Sequence, residues 1–235
     1  MASAVLETAT KEPPDPLESD FTRDKITAML LDELEDLRDH LTPLCGPMHL
    51  ALGFAAETAL DHMHSFGMEG PEYAPVLMHL TRAHLGHYLA ARQRDDELGG
   101  WVVKVGNNTA VSLQKGALSV RVLRPVGELR TPPPGRNPQR RAFYRQELAD
   151  CSTMGAAGSD LIALWNYDRK TLATDIRIVR TVGSWQFGSP ERVDLHFFLP
   201  NSNEDMELLE FVPDNENAPT LPFFEVESDE DIEQG

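Results

Sequence analysis

Apolar residues recur at spacings of three and four as far as about Arg94 and at a spacing of two after Gly100, so the chain divides into a helix-forming and a strand-forming half. From Phe21 to Leu41, the positions Ile26, Leu30, Leu34, Leu37 and Leu41 draw one apolar stripe, with Asp32, Glu33, Asp36 and Asp39 outside it. This predicts an amphipathic helix. Gly46-Pro47 opens a second helix, through Leu50, Leu52, Phe54, Ala55, Ala59 and Met63, whose low charge predicts burial. Gly70-Pro71 starts a third, to about Arg94, with Val76, Leu77, Leu80, His84, His87, Tyr88 and Ala91 on or near one face.

Past Gly100, Trp101–Val105, Thr109–Leu113 and Ala117–Arg124 read as a three-stranded meander turning at 106–108 and 114–116. A proline-rich connection, 131–135, leads to Asn137-Pro138, a cap and first-turn pair for a helix to about Ala149. Leu161–Tyr167, Thr174–Arg180 and Val193–Leu199 complete six strands, the first so apolar that it belongs in the middle of the sheet. The predicted class is α+β: an N-terminal helical region of about three helices, then a mixed sheet of about six strands with one crossing helix. Domain bounds follow at 21–98 and 100–200. Residues 1–20, with Pro13, Pro14 and Pro16 among carboxylates, read as a flexible arm, and 201–235 as a disordered acidic C-terminal tail.

Charge sharpens this division. The formal net charge is −17 over 235 residues. Residues 1–100 carry 18 acidic and 7 basic side chains, 101–200 carry 8 and 14, and 201–235 carry 12 and none. A basic block therefore lies between two acidic ones. No apolar run approaches the ~20 residues of a spanning helix and no signal-peptide pattern opens the chain, which places it in the cytoplasm, off the membrane. Cys45 and Cys151 are too few for a disulfide framework or a four-cysteine zinc site, and read as reduced thiols.

Motifs for chemistry are sparse. Five of eight histidines, His62, His64, His79, His84 and His87, fall within 26 residues. His84 and His87 share a helix face but lack an acidic third ligand one turn away, so no metal and no cofactor is assigned. The order helix, meander, helix, strand resembles that of nucleases of the PD-(D/E)xK class, whose metal-binding carboxylates stand on the second and third meander strands. Thr109–Leu113 and Ala117–Arg124 hold no Asp or Glu, which leaves at most a degenerate, non-catalytic version. Asp160, Asp168 and Asp175 could supply another carboxylate set around Leu161–Tyr167, but Asp160 starts that strand and Asp168 sits at a turn, which suits solvated strand ends. A Gly-x-Ser-x-Gly elbow and a phosphate-cradling P-loop are both missing.

The remaining signal is electrostatic. Residues 115–145 hold eight cations, seven of them arginine, against Glu128 alone. Arg121, Arg124, Arg136, Arg140, Arg141 and Arg145 suit phosphate or carboxylate, with Phe143 and Tyr144 interleaved as candidate stacking rings. In the tail, Leu208, Leu209 and Phe211, then Phe223 and Phe224, are apolar clusters among carboxylates, a pattern of short recognition elements. The expectation is a non-enzymatic binding or regulatory protein whose acidic tail engages its own Arg-rich surface or a basic partner protein. The alternative is an enzyme or degenerate nuclease-like module acting on nucleic acid or a phosphorylated ligand, through the Arg-rich helix and Asp carboxylates.

Overall fold

The computed structural model describes residues 33–145 and 160–209, apart from 128, 137 and 184. The chain forms two compact units, Met1–His40 and Leu41–Gly235. In the first, 33–40 are helical, and His40 Nδ1 lies 2.7 Å from the Asp36 carbonyl one turn back. The predicted stripe from Phe21 to Leu41 lies partly outside the described residues.

The second unit begins with a 3₁₀ turn, Thr42–Leu44, that runs into helix α1 (Cys45–Ser65). Met48, Ala51, Leu52, Ala55, Ala56, Ala59 and Met63 are buried along α1, at the three- and four-residue spacings of one face. Pro71–Tyr73 forms a further 3₁₀ turn before α2 (Ala74–Arg94), which doubles back along α1. Proline supplies the preset φ that each first turn needs. Among the described residues no helix is long and apolar enough to cross a membrane.

Six strands follow as one sheet in sequence order: β1 (Val102–Val105), β2 (Val111–Lys115), β3 (Leu118–Leu123), β4 (Asp160–Asp168), β5 (Ala173–Thr181) and β6 (Val193–Phe198). Neighbours are antiparallel except β3 and β4, which run parallel. A parallel pair needs a crossover, and helix α3 (Pro138–Arg145) lies in it. The fold is thus α+β with a mixed sheet, as the periodicities predict. One difference is local: the second strand starts at Val111 because Asn107–Thr109 form a 3₁₀ turn, with Asn108 and Thr109 at φ 57°.

The register places Val111, Leu113, Val120, Val122, Ala163 and Ile178 on one sheet face, against α1 and α2. Close approach is possible because position 86 is glycine: a Cβ there would meet Val105 Cγ2 at 2.8 Å. His49, on α1, ties helix to sheet, with Nδ1 2.8 Å from Thr174 Oγ1 and Nε2 2.9 Å from the Leu199 carbonyl. Tyr167 donates to Glu57 at 3.3 Å further along.

The opposite face has its own small core of Phe143 and Tyr144 from α3 on Ile162, Leu164 and Val179, with Leu123, Leu129, Trp185 and Val193 around it. Covering both faces explains why β4 is buried from Leu161 to Trp165 and reads as a nearly unbroken apolar run. The acidic segment from 201 is structured at its start. Ser202 caps a short helix α4 (Asn203–Glu207), accepting from the Asp205 amide at 3.1 Å, and Met206 is buried where α4 meets Thr42–Leu44 and α1.

Candidate binding surface

The basic block is built on the sheet face opposite α1 and α2. Arg121 projects from β3 between the buried Val120 and Val122, so alternation alone turns it to this face. Its guanidinium carbon lies 4.2 Å from the centre of the Phe143 ring. Asp160 stands beside it, its carboxyl pushed up by burial against the opposing pull of Arg121 and a hydrogen bond from Ser119.

α3 presents the next group. Phe143 and Tyr144 are its two large apolar side chains, and a crossover helix must bury a face, so both rings pack inward. The stacking surface expected of them is therefore occupied within the chain: Arg121 covers Phe143, and Arg140 lies 5.4 Å from the Tyr144 ring centre while its Nη2 donates to Tyr144 Oη at 3.2 Å. Burial pushes the Tyr144 hydroxyl up, and Arg140 acts against it. Thr181 Oγ1 donates to the Tyr144 carbonyl at 3.2 Å, fixing α3 on the sheet. Arg141 is exposed and donates from Nε to the Gly135 carbonyl at 2.8 Å. Arg145 is the last residue of α3.

Two loops flank this helix, and a charge cluster holds them together. Arg177 of β5 donates to the Leu129 carbonyl at 3.0 Å and to Glu191 Oε1 at 2.7 Å, and Glu191 Oε2 accepts from the Thr131 amide at 2.5 Å. Burial alone would raise the Glu191 carboxyl, but the Thr131 amide and the Arg177 guanidinium outweigh it and hold the carboxyl below the usual range. Arg180 pairs with Asp194 at 3.0 Å.

The cations thus sort into two sets. Arg177 and Arg180 are held in ion pairs, and Arg121 is beside Asp160. Arg124, Arg130, Arg136 and Arg141 are exposed and meet no carboxylate among the described residues. These four lie along 124–141, the crossover segment that joins β3 to β4 by way of α3, and that segment is called the ledge below. Sequence reasoning missed Glu191 and Arg177. The available signal was an isolated acid opposite a strand arginine, which becomes legible only once the register is known.

Of the tail residues singled out, Leu208 is 78% exposed just past α4 and Leu209 is half-buried, while Phe211, Phe223 and Phe224 lie outside the described residues. The carboxylates of the alternative reading do not form one set: Asp175 lies opposite Asn166, two residues along from Asp168, whereas Asp160 is at the other end of β4. Asp160 and Asp168 are the two ends of β4, roughly 26 Å apart at the rise of a strand. Asp168 is held below the usual range by the Lys170 amide and Thr171 of its turn. The histidine cluster is partly assembled: His84 Nε2 lies 3.4 Å from His62 Nδ1 across the hairpin, and burial, with His62 and His87, lowers its affinity for a proton. Among the described residues no three His, Cys, Asp or Glu side chains are placed to hold a metal.

Comparison with known protein families, with characterised proteins and with solved structures finds no match to this chain.

Proposed function

We propose that this chain is a non-enzymatic binding or regulatory protein whose acidic tail engages an arginine-rich surface, its own ledge or that of a basic partner protein. The observation that carries this reading is the sorting of the arginines. Four guanidiniums on one ledge stand without a carboxylate among the described residues, in a chain whose last 35 residues hold 12 carboxylates and no cation. Tethering raises the effective concentration of tail at ledge to about the millimolar range, so individually weak pairs suffice. A tail on the ledge would also keep polyanions away from it, lowering non-specific affinity for nucleic acid.

The test compares the intact chain with a tail-neutralised form (E225Q, E227Q, D229N, E230Q, D231N, E233Q) for binding of labelled single-stranded DNA at low and high salt. The reading expects salt-sensitive binding to appear on neutralisation and to vanish again when R124E, R136E and R141E are added. If the tail instead serves a basic partner, the intact chain captures a labelled oligo-arginine peptide and loses it on neutralisation. Failure of both arms overturns the reading. DNA cleavage dependent on magnesium would overturn its non-enzymatic half.

A further inference from the structure

We propose that the part of the tail that occupies the ledge is Leu221–Val226, and that Phe223 and Phe224 cover an exposed aromatic site centred on Phe187. This rests on the reading above, and names the docking segment and its seat.

The seat stands on a loop that is tied to the sheet and to α3 at several points. The loop carrying Phe187 is closed at its neck by the Val182 amide on the Arg192 carbonyl at 3.0 Å, and turns through a hydrogen bond from the Ser189 amide to the Gln186 carbonyl at 3.1 Å. Trp185 anchors it, ring centre 5.4 Å from that of Tyr144, and Glu191 ties its far end to Thr131 and Arg177. Phe187 follows Trp185 by two residues, within ~7 Å of chain, so it is held beside α3 and the ledge. Yet it is 80% exposed, and Val126, on the ledge loop, is also exposed. A solvent-facing phenylalanine on a loop joined to the ledge, whose arginines meet no carboxylate among the described residues, suits a ligand that is apolar and anionic at once.

Leu221–Val226 has that chemistry: Phe223 and Phe224 are followed by Glu225, Glu227 and the Asp229–Asp231 run. The nearer apolar cluster is excluded by its tether. α4 pins Leu208 and Leu209 beside Thr42–Leu44 and α1, on the helix side of the sheet, whereas the ledge is on the other side. Phe211 can stray only ~7 Å from Leu209, but the 14 residues from Leu209 to Phe223 reach up to about 45 Å.

The test uses the full chain with the photo-reactive analogue p-benzoylphenylalanine at position 223, irradiated and mapped by mass spectrometry. Expected are intramolecular cross-links into 124–131 and 182–192, reduced about tenfold by F187A and by R136E/R141E. Phe187 is exposed, so F187A leaves the fold intact, checked by an unchanged melting temperature. Cross-links to these segments that ignore F187A would mean attraction by charge alone, and would overturn this inference while the reading above stands. Cross-links landing elsewhere, or none, also overturn it, and the polyanion and oligo-arginine arms then decide whether the reading falls with it.

Discussion

Replacing Glu191 by alanine should destabilise the chain more than any substitution of an exposed carboxylate. Its side chain and that of Arg177 are only 16% and 12% exposed, and its two oxygens accept from different elements, the Thr131 amide and Arg177 Nη1. Hydrogen bonds to a charged group contribute about 1.5–3 kcal/mol each, and removing one partner leaves the other unsatisfied. Arg177 keeps the Leu129 carbonyl and some water, which lowers the expected total to about 2–3 kcal/mol. For a chain of this size that corresponds to a fall in Tm of roughly 4–12 °C. The pH dependence has a definite sign. The folded carboxyl is held below its usual range, so its stabilisation is fully present above the unfolded value near pH ~4.5 and is lost as pH falls through the lower folded value. The assay is urea unfolding of the full chain, wild type and E191A, from neutral pH down to about pH 3, with E191A/R177A completing a double-mutant cycle. A cost below ~0.5 kcal/mol at neutral pH, or a difference between the proteins that does not shrink in acid, would refute the assignment of Glu191 as the clasp between loops and sheet.

Three further outcomes are expected. Gly99 has φ +56° and a Cβ there would meet Pro43 Cβ at 2.6 Å, so G99A should cost about 2–3 kcal/mol by thermal melting, where a compatible glycine site would gain stability. H49A removes the bridge from α1 to Thr174 and Leu199 and should cost about 2 kcal/mol in the same assay; an unchanged Tm would show that the bridge contributes nothing. Cys45 is buried and its thiol is pushed up to about 11, chiefly by burial, with Asp205 adding to it, so at pH 8 only about one in a thousand is thiolate. In a C151S background native Cys45 should resist Ellman's reagent for hours and react within seconds in denaturant.

The fold was legible in sequence because burial leaves a period. One-sided burial along α1 produced spacings of three and four, and the double-sided burial of β4 produced an unbroken apolar run. Strand ends were read within two residues or so, the Asn107–Thr109 turn being the main displacement, since short polar residues suit a turn as well as a strand end. The role of Phe143 and Tyr144 was less legible. Interleaved arginines made α3 look like an exposed stacking helix, yet these are its only large apolar residues and a crossover helix needs a packing face. The division of the arginines into paired and unpaired was illegible without the register: Arg177 and Arg124 look alike in sequence, and only the fold brings Glu191 to one of them. α4 was hidden for another reason. Its residues are acidic like those that follow, and the single anchor, Met206, gives no period.

The function proposed above requires the acidic tail to meet arginines, on the ledge or on a basic partner. The most direct measurement places a nitroxide on S228C in the C151S chain, Cys45 being unreactive, and records paramagnetic broadening of backbone amides at about 50 mM and about 500 mM salt, which shortens the Debye length from ~14 to ~4 Å. With the tail on the ledge, broadening is concentrated at 124–141 and 182–192 at low salt, relieved at high salt and abolished by R124E/R136E/R141E. Uniform or absent broadening at low salt, with no basic partner captured, would contradict the proposed function.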